Sequence, residues 1–492
     1  MGSATKQTPL KIAQHFLQFN DNSRSPFHAV QSIAALLKQH DFHTISESDN
    51  WASILTPGGR YVFTRNASSI VAFSLPNKHD PAQFAFNVIG AHTDSPCFKV
   101  KPVSDITAFG YLQVGVECYG GGLWHTWFDR DLTVAGRVVL RSESGKLAVK
   151  LISVPRPILR IPNLAIHLSR NVNTDGFKPN KETDTKPILA TQLAASLNQM
   201  PSSNGPSEEH SRQQRQEKGK KGTGLASDRH APLLLSVLAE HLQVRAEDIV
   251  DIDLCVADTQ PCAIGGALNE FVFAPRLDNL ASCFTATRAL IAATKATYED
   301  VESAQVCRMM CCFDHEEIGS KSSHGADSPL LDNTMQRICE AVDVHHGRVL
   351  PKSLLISVDM AHAIHPNYSN KHENNHRPAL GAGLVVKTNQ NQRYATSGIS
   401  GLLVREAARR AGNVAIQEFV VPNDKPCGST IGPLLSSRSG LRTVDVGQAQ
   451  LSMHSVREMC SVHDFALCEQ VFEELLKNQT LILNDIEGME LA

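Results

Sequence analysis

Phe84-Ala85-Phe86-Asn87-Val88-Ile89-Gly90-Ala91-His92-Thr93-Asp94 runs from an almost unbroken apolar stretch into a histidine and a carboxylate. An apolar run this short predicts a strand buried on both faces, ending at His92. The same plan recurs downstream, where Val306–Phe313 leads into Asp314-His315-Glu316-Glu317 and Leu354–Val358 leads into Asp359-Met360-Ala361-His362. Further strand-like runs at 249–256 and 419–421 alternate with helix-like stretches at 280–296 and 401–411, which is the rhythm of an α/β fold. In open α/β sheets the carboxyl ends of the strands gather around one crevice, so residues far apart in sequence can converge there.

Outward from this core the texture changes. Ile12, Phe16 and Phe19, then Val30, Ile33 and Leu37, recur at helical spacing on either side of the turn-forming Asn22-Ser23-Arg24-Ser25-Pro26, which predicts two N-terminal helices. Strand-like runs follow at 61–63 and 70–73. From 101 to 245 strands with glycine clusters dominate, among them Val114-Gly115-Val116-Glu117 and the run at 133–140. The expected organisation is a catalytic α/β domain in two parts, 1–100 and 246–492, interrupted by a β-rich domain at 101–245. Within the latter, 202–224 is rich in Ser, Gly, Gln, Glu, Lys and Arg without apolar periodicity, and is expected to be a mobile insertion.

A chain of 492 residues can bury a catalytic sheet and is too long for one ordinary core. No apolar run approaches the roughly 18 residues of a membrane span. With 47 Lys plus Arg against 50 Asp plus Glu, no global field recruits nucleic acid or a membrane surface. Cys307, Cys311 and Cys312 lie inside an apolar run, where thiols act as small hydrophobes. No Cys-x-x-Cys pair is present, so metal chemistry must use histidine and carboxylate. Met1–Lys6 has no apolar signal core, and the expected location is cytoplasmic.

Arg276-Leu277-Asp278-Asn279 and Met453-His454-Ser455 place two more ligand types beside turns. A pair of divalent ions about 3.5–4 Å apart can hold a hydroxide and polarise a carbonyl when one carboxylate bridges them and others offset their charge. Asp278 suits the bridge. His92 and Asp359 complete one ion's set, and Glu317 and His454 complete the other's. Glu316 is left to take a proton from the attacking water and pass it to the leaving amine. Asp94, two residues beyond His92, can accept the other ring N–H and fix the imidazole. Mixed imidazole and carboxylate donors favour zinc, and also fit Mn²⁺ or Co²⁺.

The segments AHTDSP at 91–96, RLDN at 276–279, DHEEIGS at 314–320, SVDMAHAIHPNY at 357–368, KHENNHRP at 371–378, RYAT at 393–396, PCGSTIGP at 426–433 and MHSVREM at 453–459 together resemble the aspartyl aminopeptidases, metalloenzymes of the M18 type. The resemblance spans nearly the whole chain and carries the same ligands, with Glu316 as base. It implies a mixed-sheet two-metal catalytic domain, a β-rich dimerisation domain, a tetrahedral homododecamer and peptide substrates with N-terminal Asp or Glu. It further implies that His167 reaches a neighbouring subunit's active site, and that His362, Lys387 and Tyr394 bind substrate together with His167, Glu316 and Asp359. Arg393 is the alternative cation for an acidic side chain. The turn Cys427–Pro433 is a weaker candidate for a substrate wall.

His372-Glu373-Asn374-Asn375-His376 matches the H-E-x-x-H pattern, which binds one zinc only from a helix. Two asparagines and the nearby Pro378 argue against that helix. The competing functional readings are another two-metal exopeptidase or amidohydrolase, and a scaffold that has lost its chemistry. Assays on Asp-, Leu- and C-terminal substrates separate the first, and metal content separates the second.

Overall fold

The strand Ala85–His92 is buried along its whole length, as its apolar run dictates. In the computed structural model, which describes residues 7–197, 225–294 and 305–486, it lies inside a nine-stranded mixed sheet. The order is His43–Thr44, Arg60–Arg65, Ser69–Ser74, Val306–Phe313, Ala85–His92, Leu354–Val358, Arg442–Gly447, Leu384–Lys387, Ile416–Phe419. The central strands are parallel, with Phe313 opposite His92 and Ser357 opposite Gly90. Their carboxyl ends therefore open on one edge of the sheet. The insertion expected at 202–224 lies outside the described residues.

Alternate residues of these strands enter two different cores, as a period of two requires. Ile89, Ala91, Met310, Cys312, Ile356 and Val358 pack with the helices Pro9–Asp21, Pro26–Lys38, Leu277–Thr294, Gly398–Arg410 and Asp464–Asn484. Phe86, Val88, Met309, Cys311, Phe313 and Leu355 pack on the other side with Leu330–Ala341 and Ile431–Ser439. Phe16, from the first predicted helix, stands 4.6 Å from Phe465 and 5.6 Å from Phe284 between ring centroids. The result is a helix–sheet–helix sandwich.

The chain divides into two units, Met1–Ser95 with Pro261–Ala492, and Pro96–Gln260. The second contains a six-stranded antiparallel sheet in the order Leu147–Ser153, Leu132–Arg141, Ile249–Asp258, Cys97–Ala108, Tyr111–Tyr119, Ile188–Thr191. The run at 249–256 was expected in the catalytic core. It instead pairs with Leu132–Arg141, because an apolar run buried in the middle of a sheet looks the same in either setting. The strand expected at 419–421 is Ile416–Phe419, an edge strand whose polar Gln417 and Glu418 hide its pattern.

The first unit also carries a five-stranded sheet, Ala263–Gly265, Phe271–Ala274, Glu458–Ser461, Ala449–Leu451, Ala361–His362. None of the twelve cysteines is in a disulfide. Among the described residues no helix is long and apolar enough to cross a membrane.

Candidate active site

His92 ends its strand, and Asp359 follows Leu354–Val358 directly. Gly447, at the end of the neighbouring strand, allows the close approach there: a Cβ on it would fall 1.8 Å from the Asp359 carbonyl oxygen. Beyond Val306–Phe313 the backbone turns left-handed at His315 (φ 65°) and Gly319 (φ 97°), leaving Glu316–Ile318 as one 3-10 turn. The N–H groups of Glu316 and Glu317 each donate to Asp94 at 3.1 Å. His92 Nδ1 is 3.1 Å from the Asp94 backbone carbonyl and 3.4 Å from Asp94 Oδ1, so one residue braces the histidine and the double-glutamate turn.

Asp278 is positioned by its neighbours in the motif. Arg276 donates to the carbonyls of Asn20 and Ser23 at 3.1 Å, and Asn279 donates to Val358 O at 2.8 Å. Asp278 lies at the start of Leu277–Thr294, where the backbone is not helical. His454 sits in a left-handed turn (φ 66°) between Ala449–Leu451 and Glu458–Ser461.

These residues meet in one cavity of about 580 Å³ in the first unit. Asp278 Oδ1 is 3.3 Å from His92 Nε2, and Asp278 Oδ2 is 3.4 Å from His454 Nε2. Asp359 Oδ1 is 3.7 Å from His92 Nε2, and Glu317 Oε2 is 3.3 Å from His454 Nε2. Donor atoms of His92, Asp278 and Asp359 lie within 4.8 Å of one another, as do those of Asp278, Glu317 and His454. Asp278 thus belongs to both sets. Glu316 Oε2 is 3.9 Å from His92 Nε2, and His92, Glu316 and Glu317 form a third convergent set.

The residues fit divalent cations. Asp278 Oδ1 and Glu317 Oε1 are buried and accept no hydrogen bond, which is costly unless a cation takes them up. Burial, opposed by His92 and reinforced by Asp359 and Glu317, drives the Glu316 carboxyl well above the usual carboxylate range. Burial likewise pushes Glu317 up to about 7. Against burial, contacts with Asp278 and Glu317 hold His454 up at about 11. This is a site with too many carboxylates for its cations.

Lys387 is 2% exposed and lines the same cavity. Its ammonium is 3.4 Å from Asp359 Oδ2 and donates to Met360 O at 3.1 Å. Its nitrogen also lies 5.0 Å from the centre of the Tyr394 ring. Tyr394, His362, Arg393, Ser429 and Thr430 complete the wall. His167 is not among the lining residues: it stands exposed in a 3-10 turn, Ile166–Leu168, of the second unit. The H-E-x-x-H segment is not helical, and His376 Nδ1 closes on Glu373 at 2.5 Å.

The family model of aminopeptidase I zinc metalloproteases (M18) matches residues 19–475. The chain belongs to the M18 aminopeptidase family. Among M18 relatives, a probable aspartyl aminopeptidase of Ricinus communis is 47% identical over 475 residues, covering 95% of this chain and 96% of its own. The aspartyl aminopeptidase of Dictyostelium discoideum is 44% identical over 502 residues, covering 97% of this chain and 99% of its own. A solved structure of an Ape4 and Nbr1 complex matches with a TM-score of 0.89 at 41% identity, over 99% of this chain and 89% of that one. A yeast Ape1 dodecamer matches with a TM-score of 0.82 at 30% identity, over 98% of this chain and 99% of that one. This M18 chain is accordingly a metalloaminopeptidase, a hydrolase of a zinc-dependent class.

Sequence reasoning missed Glu458, which holds two residues that line this M18 cavity. Buried, it accepts the backbone N–H groups of His454 at 2.9 Å and Asp278 at 3.2 Å. Only its position in MHSVREM, four residues past His454, could have drawn attention to it.

Proposed function

We propose that this chain removes N-terminal Asp or Glu from unblocked peptides, using two divalent ions per subunit, zinc first and Mn²⁺ or Co²⁺ as alternatives. The observation that carries the reading is the sharing of Asp278 between two donor sets in a cavity that also holds a buried lysine. His92 and Asp359 would hold one ion, Glu317 and His454 the other, with Asp278 between. When bound, such a pair supplies Lewis-acid activation of water and of the scissile carbonyl.

The remaining work falls to the chain's own groups. Glu316, which converges with His92 of one set and Glu317 of the other, takes the proton of the attacking water and delivers it to the leaving amine. Asp94 keeps the His92 ring and the Glu316 backbone in register. A lysine ammonium has three donors. Asp359 and Met360 face the Lys387 ammonium, leaving a donor for the side-chain carboxylate of the substrate, with Tyr394 and His362 as walls. Such a charge-assisted bond contributes roughly 1.5–3 kcal/mol. His167 is assigned to a neighbouring subunit's cavity, where it helps to stabilise the transition state. Its exposure on a surface with Leu164, Ile166 and Leu168 also exposed supports a role in contact with another copy, in a tetrahedral dodecamer whose β-rich units dimerise. Twelve cysteines outside any disulfide suit a reducing cytoplasm.

The deciding experiment is hydrolysis of matched N-terminal Asp, Glu and Leu peptides by wild type and Glu316→Gln, with metal content measured on the same samples. Acid-selective cleavage by wild type, lost in a variant that keeps its metal, is the expected result. A metal-replete wild type that cleaves none of the three refutes the reading.

A further inference from the structure

A fourth convergent set of metal-type donors lies outside the groups assigned above. Asp314, His315 and His324 offer ligand atoms that all fall within 4.8 Å of one another. His315 Nε2 is 3.6 Å and His324 Nε2 3.8 Å from the same oxygen, Asp314 Oδ2. A four-coordinate ion with bonds of about 2.0–2.2 Å sets its donors roughly 3.3–3.6 Å apart, and both histidine–carboxylate distances are within a few tenths of an ångström of that spacing. The two imidazole rings are tilted 49° to one another, with centroids 4.6 Å apart.

The outward nitrogens are already oriented as a metal site requires. His315 Nδ1 is 2.9 Å from Ser322 Oγ and His324 Nδ1 is 3.2 Å from Ser323 Oγ, which directs both Nε2 atoms toward Asp314. Asn66 Nδ2 approaches His324 Nε2 at 3.2 Å. A half-turn of that amide, whose two ends are alike in shape, brings its oxygen inward as a fourth donor, and Ser68 Oγ, now 3.1 Å from Asn66 Nδ2, can bond either end. Side-chain exposures of 24% for His315 and 13% for His324 leave an entry path.

We propose that Asp314, His315 and His324, with Asn66, form an additional binding site for a borderline transition-metal ion, Zn²⁺ or Co²⁺, distinct from the pair in the cavity. The two-imidazole, one-carboxylate set selects such ions over Mg²⁺ or Ca²⁺. Because Asp314 and His315 directly precede Glu316 and Glu317, an ion here pins the root of that turn.

The test is zinc content per subunit after the purified full chain is equilibrated with micromolar Zn²⁺ and freed of unbound metal. Wild type is expected to hold one ion more than His324→Gln, and His324→Cys, which restores a zinc ligand, is expected to regain it. Aminopeptidase assays on the same samples report the cavity separately, so loss of the additional ion with hydrolysis retained belongs to this site alone. Equal zinc in wild type and a folded His324→Gln overturns the proposal. Should that variant not fold, anomalous scattering at the zinc edge from wild-type crystals decides: a peak between His315 and His324 supports the site, and no peak overturns it.

Discussion

Glu458 Oε1 accepts the backbone N–H of His454 at 2.9 Å, while its other oxygen accepts that of Asp278 at 3.2 Å. One buried carboxylate so ties together two candidate ligands from distant segments. Glu458→Ala would strand two N–H groups, at roughly 1–3 kcal/mol each, and free both loops. Loss of such outer partners typically costs about 10–100-fold in metal affinity. Chelator competition should show that drop in Glu458→Ala and a smaller one in Glu458→Gln. Wild-type affinity in Glu458→Ala would mean that the carboxylate serves the fold alone.

Asp94 makes a different prediction, because it touches the turn that carries the base. Its two oxygens accept the N–H groups of Glu316 and Glu317, and only a carboxylate can accept both. Asn in its place turns one acceptor into a donor facing an N–H group. Asp94→Asn is expected to lower kcat about 10–100-fold with little change in KM, because substrate is held by other walls. A rise in KM at unchanged kcat, measured on an Asp-peptide, would move Asp94 from positioning the base to shaping the pocket.

Lys387 tests the substrate class. A charge-assisted bond of roughly 1.5–3 kcal/mol corresponds to about a 10- to 150-fold preference. Lys387→Ala also takes a cation from Asp359, which depresses turnover of every peptide. The quantity to follow is therefore the ratio of kcat/KM for Asp- and Leu-peptides, expected to collapse toward unity. Equal losses on both substrates would leave the acidic preference to another cation, with Arg393 the next to test.

The central strands and the ligands at their ends were legible because they are local signals. Val306–Phe313 is buried at every position and is apolar apart from Arg308, whose side chain donates to Leu476 O, so the polar residues that follow stand out. Asn374, Asn375 and Pro378 likewise announce that His372–His376 forms no helix. What failed depended on distant partners. Glu458 looks like an ordinary surface carboxylate until Asp278 N–H is brought against it, and Ile416–Phe419 hides its strand character because Gln417 bonds to Ala379 and Gly383 carbonyls and Glu418 pairs with Arg405. The pairing of His324 with Asp314 is invisible for the same reason, since a loop's return to its own root leaves no periodicity.

His28, which does not line the cavity, gives the fold a pH dependence of its own. It is buried in Pro26–Lys38, with Nδ1 2.8 Å from Ser25 Oγ. Burial, then the charges of Arg276 and Arg24, holds its imidazole down at about 4. An unfolded histidine titrates near 6.5, so between those values the unfolded chain binds the extra proton and stability rises with pH. The contribution is complete above about pH 6.5 and is lost as pH falls through about 4. Between about pH 7 and pH 5 the loss comes to about 2 kcal/mol. His28→Gln retains a partner for Ser25 but does not titrate, so urea unfolding of metal-replete samples should show the stability gap moving by that amount in the variant's favour. A gap that does not change with pH would mean that His28 is not held neutral in the folded chain.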